Sequence, residues 1–324
     1  MLKSKLNLFI MLGSLGVFIA LMVVASFYDL QINKAVSNYD SLFGQFFEYL
    51  GDFPGYIAPP VALVILFQSV TKKNSYYLPL KIFLGVMSIV WIYVFIKYLM
   101  HKFFDAEIMY SNFYLGFFTV ITSALTYLCT YKIDKKIMKK LAVYSIALLI
   151  MLAISQIIVT FLKDYMGRMR FRNMSPDNNY EGFTNWFTRG ESGREDLIVS
   201  FTRYPYHSDS DAFKSFPSGH TASAGLTFSL IMIPELFEKL KKYKIWFYVS
   251  TIIYTILVAY SRLVVEAHFL SDVLIAIFIV FSTVFLVKWL VLKIYNKKVS
   301  DKEIPTTPKE SSFKNQSKKF DVVV

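Results

Sequence analysis

A single cysteine, Cys129, stands in the whole chain, which excludes an intramolecular disulfide; lying inside an apolar run, it reads as a small apolar filler. Cysteine and histidine at zinc-site spacing are absent, and so is any glycine-rich nucleotide loop. No internal repeat is present, which removes solenoid and propeller architectures. Charge is scarce as well: only 18% of the 324 residues are Asp, Glu, Lys or Arg, against about 25% in an ordinary soluble domain. Histidine is limited to four positions, His101, His207, His220 and His268, so any imidazole chemistry has to be found among them.

What fills the chain instead is apolar. Hydrophobic residues make up 55%, mean hydropathy is +0.45, and Phe and Tyr number 31 and 22. This composition points to a membrane protein whose rings face lipid or sit at its edges. The net charge of +12 could suggest nucleic acid, but the lysines lie in short clusters between apolar runs, so topology explains them and no nucleic-acid partner is expected. Lys3 and Lys5 precede a long apolar stretch that could be a signal peptide; its length and the runs that follow favour a retained anchor.

A helix needs roughly 20 apolar residues to cross the hydrocarbon core. Eight stretches near that length predict an all-α, polytopic bundle: 6–27, 55–70, 78–99, 113–131, 141–162, 220–237, 244–262 and 268–291. The second is short, and Pro59 and Pro60 predict a tilted or irregular start. With the N-terminus inside, every second connection is lysine-rich: Lys3 and Lys5, Lys72 and Lys73, Lys132 to Lys140, Lys239 to Lys244, and Lys293 to Lys298. Both termini are therefore expected in the cytoplasm. The opposite connections carry Asp29, Asp40, Glu48 and Asp52, then Asp105 and Glu107. Three regions follow: N-terminal spans over 1–139, a core over 140–292 containing a long extracytoplasmic loop at 164–216, and a basic tail over 293–324 without apolar periodicity, expected to be disordered. In the loop, Tyr180, Phe183, Trp186 and Phe187 suit either the headgroup layer or a small loop core.

Ionisable groups at the outer helix ends gather in three places. The first is Lys163 to Arg170, with Arg168 and Arg172 nearby; alone, Lys163 would be a snorkelling terminus and Arg170 a solvated charge. The second is Pro217-Ser218-Gly219-His220, ahead of a run of small residues. Ser218 can cap the helix there, Gly219 admits close approach, and the helix start favours an anion; a plain turn is the bland alternative. The third is Ser261-Arg262, then His268 and Asp272, which share one helical face. Asp272 can fix the tautomer of His268 and support its charge, or the two can form a structural pair that only ties helices together. Topology places all three on one membrane side, and together they suit a phosphoryl group: cations and N–H donors hold its oxygens, one imidazole attacks, and another protonates the leaving oxygen. The arrangement needs neither metal nor other cofactor, although His207, Asp209 and Asp211 could offer ligands in the loop.

These residues resemble the type 2 phosphatidic acid phosphatase family, whose pattern is Lys, six residues, Arg-Pro; then Pro-Ser-Gly-His; then Ser-Arg, five residues, His, three residues, Asp. Lys163 and Arg170 keep the first spacing, Pro217 to His220 match in full, and so do Ser261, Arg262, His268 and Asp272; Phe171 stands where the family has proline. The resemblance covers roughly residues 140–290. It implies a membrane phosphatase acting on a lipid phosphate or diphosphate, with His268 as nucleophile, Asp272 supporting it and His220 as general acid. Lys163, Arg170, Ser218, Gly219 and Arg262 would hold the phosphate. Membrane members have six spans with the first motif after the third, so five spans ahead of Lys163 leave two extra, with no role legible in the sequence. A phosphotransferase on the same scaffold, or a polytopic transporter with a histidine proton path, are the rival readings.

Overall fold

The computed structural model describes residues 2–71, 77–104, 111–175, 180–190 and 211–303, and these are helical, without strands. The helices are α1 (Leu2–Val36), α2 (Leu42–Leu50), α3 (Phe53–Ser69), α4 (Leu78–Phe103), α5 (Asn112–Tyr131) and α6 (Lys135–Met166). Then come α7 (Gly219–Gly225), α8 (Ile233–Leu236), α9 (Lys244–Val264) and α10 (Leu270–Glu303). Among the described residues seven helical stretches are long and apolar enough to cross a membrane: 15–36, 42–69, 78–103, 112–131, 135–173, 238–264 and 270–297. Large apolar side chains such as Phe27, Val120, Ile157 and Trp246 project outward from them, as a lipid solvent allows.

The expected span at 220–237 differs from the rest. It is built of α7, a 3₁₀ turn over Leu226–Met232 and the short α8, with Pro234 removing a backbone donor at the last junction. Its combined rise is about 30 Å, enough for the hydrocarbon core. Its apolar side chains are not lipid-facing. Ala222, Leu226, Phe228, Ile231, Met232 and Leu236 pack with Ala147, Met151 and Val159 of α6 and with Ala276, Val280, Val284 and Val287 of α10. This segment is the axis of the bundle, and its run of small residues admits close neighbours.

Three further expectations need correction. The second span does not begin at the prolines: α3 starts at Phe53, Pro59 and Pro60 lie inside it, and α2 continues it on the other side of Gly51. The tail does not begin as disordered chain at 293, because α10 runs on to Glu303; residues 304–324 lie outside the described residues. Around the loop at 164–216, α6 extends to Met166, and residues 167–174 are mostly buried rather than free in solvent. Lys72, Lys73, Asp105, Glu107, His207 and Asp209 fall outside the described residues.

Helix order brings functional ends together. α3 packs against α4 and α6, α6 against α10, α7 against α9 and α10, α2 against α9, and α1 against α10. The C-terminal ends of α1, α2, α4, α6 and α9 and the N-terminal ends of α3, α7 and α10 thereby meet at one end of the bundle. Gly44 shows how tightly: a Cβ there would lie 2.5 Å from Val265 Cγ1, so only glycine lets α2 lie this close to the turn after α9.

Candidate active site

All eight residues singled out by the sequence come together at that end. Ser218 caps α7: its Oγ accepts from Thr221 N at 3.4 Å, and its own N–H donates to the Asp272 carbonyl at 3.1 Å. The start of α7 is thus fastened to the start of α10. A Cβ on Gly219 would lie 3.7 Å from Lys163 Cε, so the lysine stem passes directly over this helix start, and Lys163 Nζ donates to the Lys214 carbonyl at 2.8 Å. The segment leaving α6 carries Arg170, whose N–H donates to Ala212 O at 2.8 Å and whose Nε donates to Asp211 O at 2.9 Å, both on the returning part of the loop.

The turn between α9 and α10 sets Arg262 beside His268. Glu266 adopts a left-handed φ of 61°, unusual for a residue with a Cβ, and the chain folds back so that Ala267 N and His268 N both donate to Arg262 O, at 3.0 and 3.2 Å. Arg262 is buried, with Nη2 3.2 Å from Glu48 Oε1, while its Nε and Nη1 have no hydrogen-bond partner. Arg172 resembles it: buried, with Nη1 3.5 Å from the same Glu48 oxygen, and with Nε and Nη1 making no hydrogen bond. Two guanidinium groups share one carboxylate oxygen, and their buried free donors are of the kind that an anion's oxygens satisfy.

His268 is buried, and its Nδ1 lies 2.6 Å from the Ser215 carbonyl. A carbonyl oxygen only accepts, so Nδ1 carries the proton and Nε2 keeps its lone pair. The expectation that Asp272 holds the ring directly is therefore corrected. Asp272 Oδ2 is 3.7 Å from Nδ1, beyond hydrogen-bond length, and instead accepts from Ser215 Oγ at 2.5 Å and Phe269 N at 2.9 Å. Asp272 positions the residue that positions the histidine. Burial favours the neutral imidazole, and the charges of Arg170 and Lys163 act the same way against the pull of Asp272, so His268 protonates well below the ordinary histidine range.

The fixed cation beside Asp272 is Arg168, present in the sequence only as a neighbour of the first motif. It is fully buried: Nη1 reaches Asp272 Oδ1 at 2.6 Å and Ser271 Oγ at 2.8 Å, Nη2 reaches Asp29 Oδ2 at 3.0 Å, and Nε donates to Thr184 O at 2.8 Å. Its guanidinium lies over the Phe269 ring, 4.1 Å from the centroid. Asp29 also accepts from Ser271 N at 3.0 Å, and Asn33 donates to the His268 carbonyl at 2.9 Å. α1 is thus tied into the site from outside the motif region.

His220 is half-buried on α7, with Nε2 3.2 Å from the Glu48 carbonyl and 3.4 Å from Asp52 Oδ2. The residue that breaks the family's first motif has its own support. Phe171 is buried, opens a short 3₁₀ turn, and packs with Met169, Met174 and Phe269, its ring edge-on to Phe269 at 6.0 Å. Where proline would stiffen the chain after Arg170 through its ring, aromatic packing against the neighbour of His268 holds it here. Tyr180 and Phe183 join this cluster, so they form a loop core, while Trp186 donates from Nε1 to Ser26 Oγ of α1 at 2.9 Å and Phe187 is exposed. Among the described residues no three His, Cys, Asp or Glu side chains are grouped as metal ligands.

Neither a curated protein nor a solved structure matches the chain significantly. A family model does: that of the PAP2 superfamily, the type 2 phosphatidic acid phosphatases, over residues 144–296. The matched stretch runs from α6 through the axial segment to α10, and so contains all eight of the residues gathered above together with Arg168, Arg172 and Ser215. This stretch, carried in an all-α bundle of membrane-length helices, is a PAP2 superfamily region.

Proposed function

We propose that the protein is a membrane lipid phosphate phosphatase that hydrolyses a lipid phosphomonoester or diphosphate through a phosphohistidine. The observation that carries this reading is the tautomer of His268: with Nδ1–H committed to Ser215 O, the Nε2 lone pair is free to attack phosphorus. Lys163, Arg170 and Arg262, with Ser218 and the Gly219 N–H, hold the equatorial oxygens and stabilise their charge in the transition state. As the Nε2–P bond forms, the P–O ester bond breaks, its electron pair stays on the leaving oxygen, and protonated His220 gives that oxygen a proton. Neutral His220 then takes a proton from water as the water attacks phosphorus. The N–P bond breaks back onto Nε2, phosphate leaves, and His220 is again charged. No step requires a metal.

Purified full-length protein in detergent is expected to release inorganic phosphate from at least one of undecaprenyl diphosphate, phosphatidate and phosphatidylglycerophosphate, at a rate unchanged by excess chelator. Loss of activity in chelator, restored by magnesium or zinc, would overturn the metal-free scheme. A new phosphoester in place of free phosphate would identify a phosphotransferase.

We also place the site at the extracytoplasmic face of the cell membrane with both termini in the cytoplasm, because the lysine-rich ends of the helices lie opposite to it. With Cys129 replaced, a cysteine at Arg189 is expected to react with an impermeant thiol reagent in intact cells and one at Lys241 only after lysis; both positions are exposed. The reverse pattern would invert the topology.

A further inference from the structure

The scheme above takes no residue from the spans that precede the PAP2 stretch, yet these spans surround its second histidine. Asp52 sits at the junction of α2 and α3, at the N-cap position of α3, but its side chain makes no capping bond. Oδ2 lies 3.4 Å from His220 Nε2, and Oδ1 accepts from the Tyr98 hydroxyl of α4 at 2.7 Å. The junction is fixed against α7, since Ser223 Oγ donates to the Asp52 carbonyl at 2.8 Å. A Cβ on Gly55 would fall 2.0 Å from that same Ser223 Oγ, so α3 can approach α7 this closely only because residue 55 is glycine. The Glu48 carbonyl, also facing Nε2 at 3.2 Å, is held by Lys102 Nζ at 3.0 Å.

Both groups facing Nε2 are acceptors, so the Nε2 proton is committed to them and Nδ1 is the nitrogen left for a substrate. We propose that Asp52 is the positioning residue for His220: it fixes the ring through Nε2–H, turns Nδ1 to the leaving oxygen, and stabilises the imidazolium that donates the proton. The inference rests on the reading of His220 as general acid. The two carboxylates near the two histidines are used differently. Asp272 gives its charge to Arg168 and Ser215, leaving His268 neutral as a nucleophile must be. Asp52 accepts from the Tyr98 phenol and its ion-pair contact is with His220, an acid that must be cationic, while Lys102 and Arg262 stand further around the same carboxylate. Around His220 the other charged or ionisable neighbours are Arg262 of α9, Lys102 of α4 and His268, while the Glu48 carbonyl and the Asp52 carboxylate face Nε2 at 3.2 and 3.4 Å, and of these two the carboxylate is the one that brings a negative charge.

The test is Asp52→Asn in the full-length protein, assayed on the lipid monoester it hydrolyses and on nitrophenyl phosphate. Asparagine can still accept from Tyr98, so the local packing is retained. We expect kcat on the lipid, whose alkoxide leaving group needs the proton, to fall about 10- to 100-fold, and kcat on nitrophenyl phosphate to stay within about threefold. The alkaline limb of the lipid pH–rate profile is expected about one pH unit lower, as loss of one carboxylate interaction would give, and Asp52→Glu should restore part of it. Equal losses on both substrates with an unmoved alkaline limb would overturn the proposal, as would wild-type rates on both. His220→Ala is run alongside. If that variant fails to discriminate between the substrates, the general-acid reading itself falls; if it discriminates and Asp52→Asn does not, only Asp52 is misassigned. Should Asp52→Asn not fold, Asp52→Ser, another residue favoured at an N-cap, is read in the same way.

Discussion

Replacing His268 by alanine is expected to abolish phosphate release from every ester tested, lipid or nitrophenyl, because the proposed nucleophile is gone. Replacing His220 by alanine should act selectively. A general acid contributes roughly 10²- to 10⁴-fold, and most where the departing oxygen is a strongly basic alkoxide. His220→Ala should therefore lose about that factor on a lipid monoester and retain much of its rate on nitrophenyl phosphate, whose leaving group departs without a proton. Single-turnover assays with acid-quenched protein would add a direct observation: phosphate bound to protein in the wild type and absent from His268→Ala. If His268→Ala kept activity on nitrophenyl phosphate while His220→Ala lost it, the two roles would be exchanged. Full lipid phosphatase activity in both variants would dismiss the site.

The second large effect is expected at Arg168, a residue that need not touch the substrate. Its guanidinium stands between two fully buried carboxylates, 2.6 Å from Asp272 and 3.0 Å from Asp29. Removing one member of a buried ion pair leaves the other charge desolvated and typically costs about 3–5 kcal/mol. Arg168→Met is expected to lose stability of that order in denaturant titration of the detergent-solubilised protein. It should also lose most activity, because Asp272 no longer has a fixed partner while it holds Ser215. Adding Asp29→Asn to Arg168→Met should recover part of the stability by neutralising one of the two stranded charges. A single Arg168→Met variant as stable and active as the wild type would show that the Asp29–Arg168–Asp272 chain does not organise the site.

The sequence made the three motifs legible because their residue types and spacings are local. Ser261, Arg262, His268 and Asp272 fall within twelve positions, and a turn followed by a helix suffices to place them together. The membrane-length helices were legible from hydropathy for the same reason, apolar length being a local quantity. The axial segment was read only in part. An apolar run gives length, not pitch, and small residues such as Ala222, Ala224 and Gly225, which suit a lipid-facing helix poorly, were the sign of a packed axis. What stayed hidden was partnership across the chain. Asp29, Glu48 and Asp52 looked like ordinary acids of an outer connection, yet Asp52 meets His220 across 168 positions and Glu48 meets Arg262 across 214. Arg168 and Arg170 differ by two positions and have the same chemistry. Only the packed structure shows that the first faces the two carboxylates while the second is bonded to Asp211 O on the returning loop.

The tie between Asp29 and Ser271 also has a consequence for how the molecule is made. The two residues are 242 positions apart, so at about 5–20 residues per second the ribosome delivers the second roughly ten to fifty seconds after the first. During that interval α1 is already available for insertion, with a carboxylate toward its C-terminal end and neither Arg168 nor α10 yet synthesised to receive it. An unpaired carboxylate is costly in hydrocarbon. Until α10 arrives, the first helix has to keep Asp29 in water at the membrane surface or carry it protonated. Burial of that one side chain is then a late event, and it occurs only when the helix that bears Asp272 has taken its place.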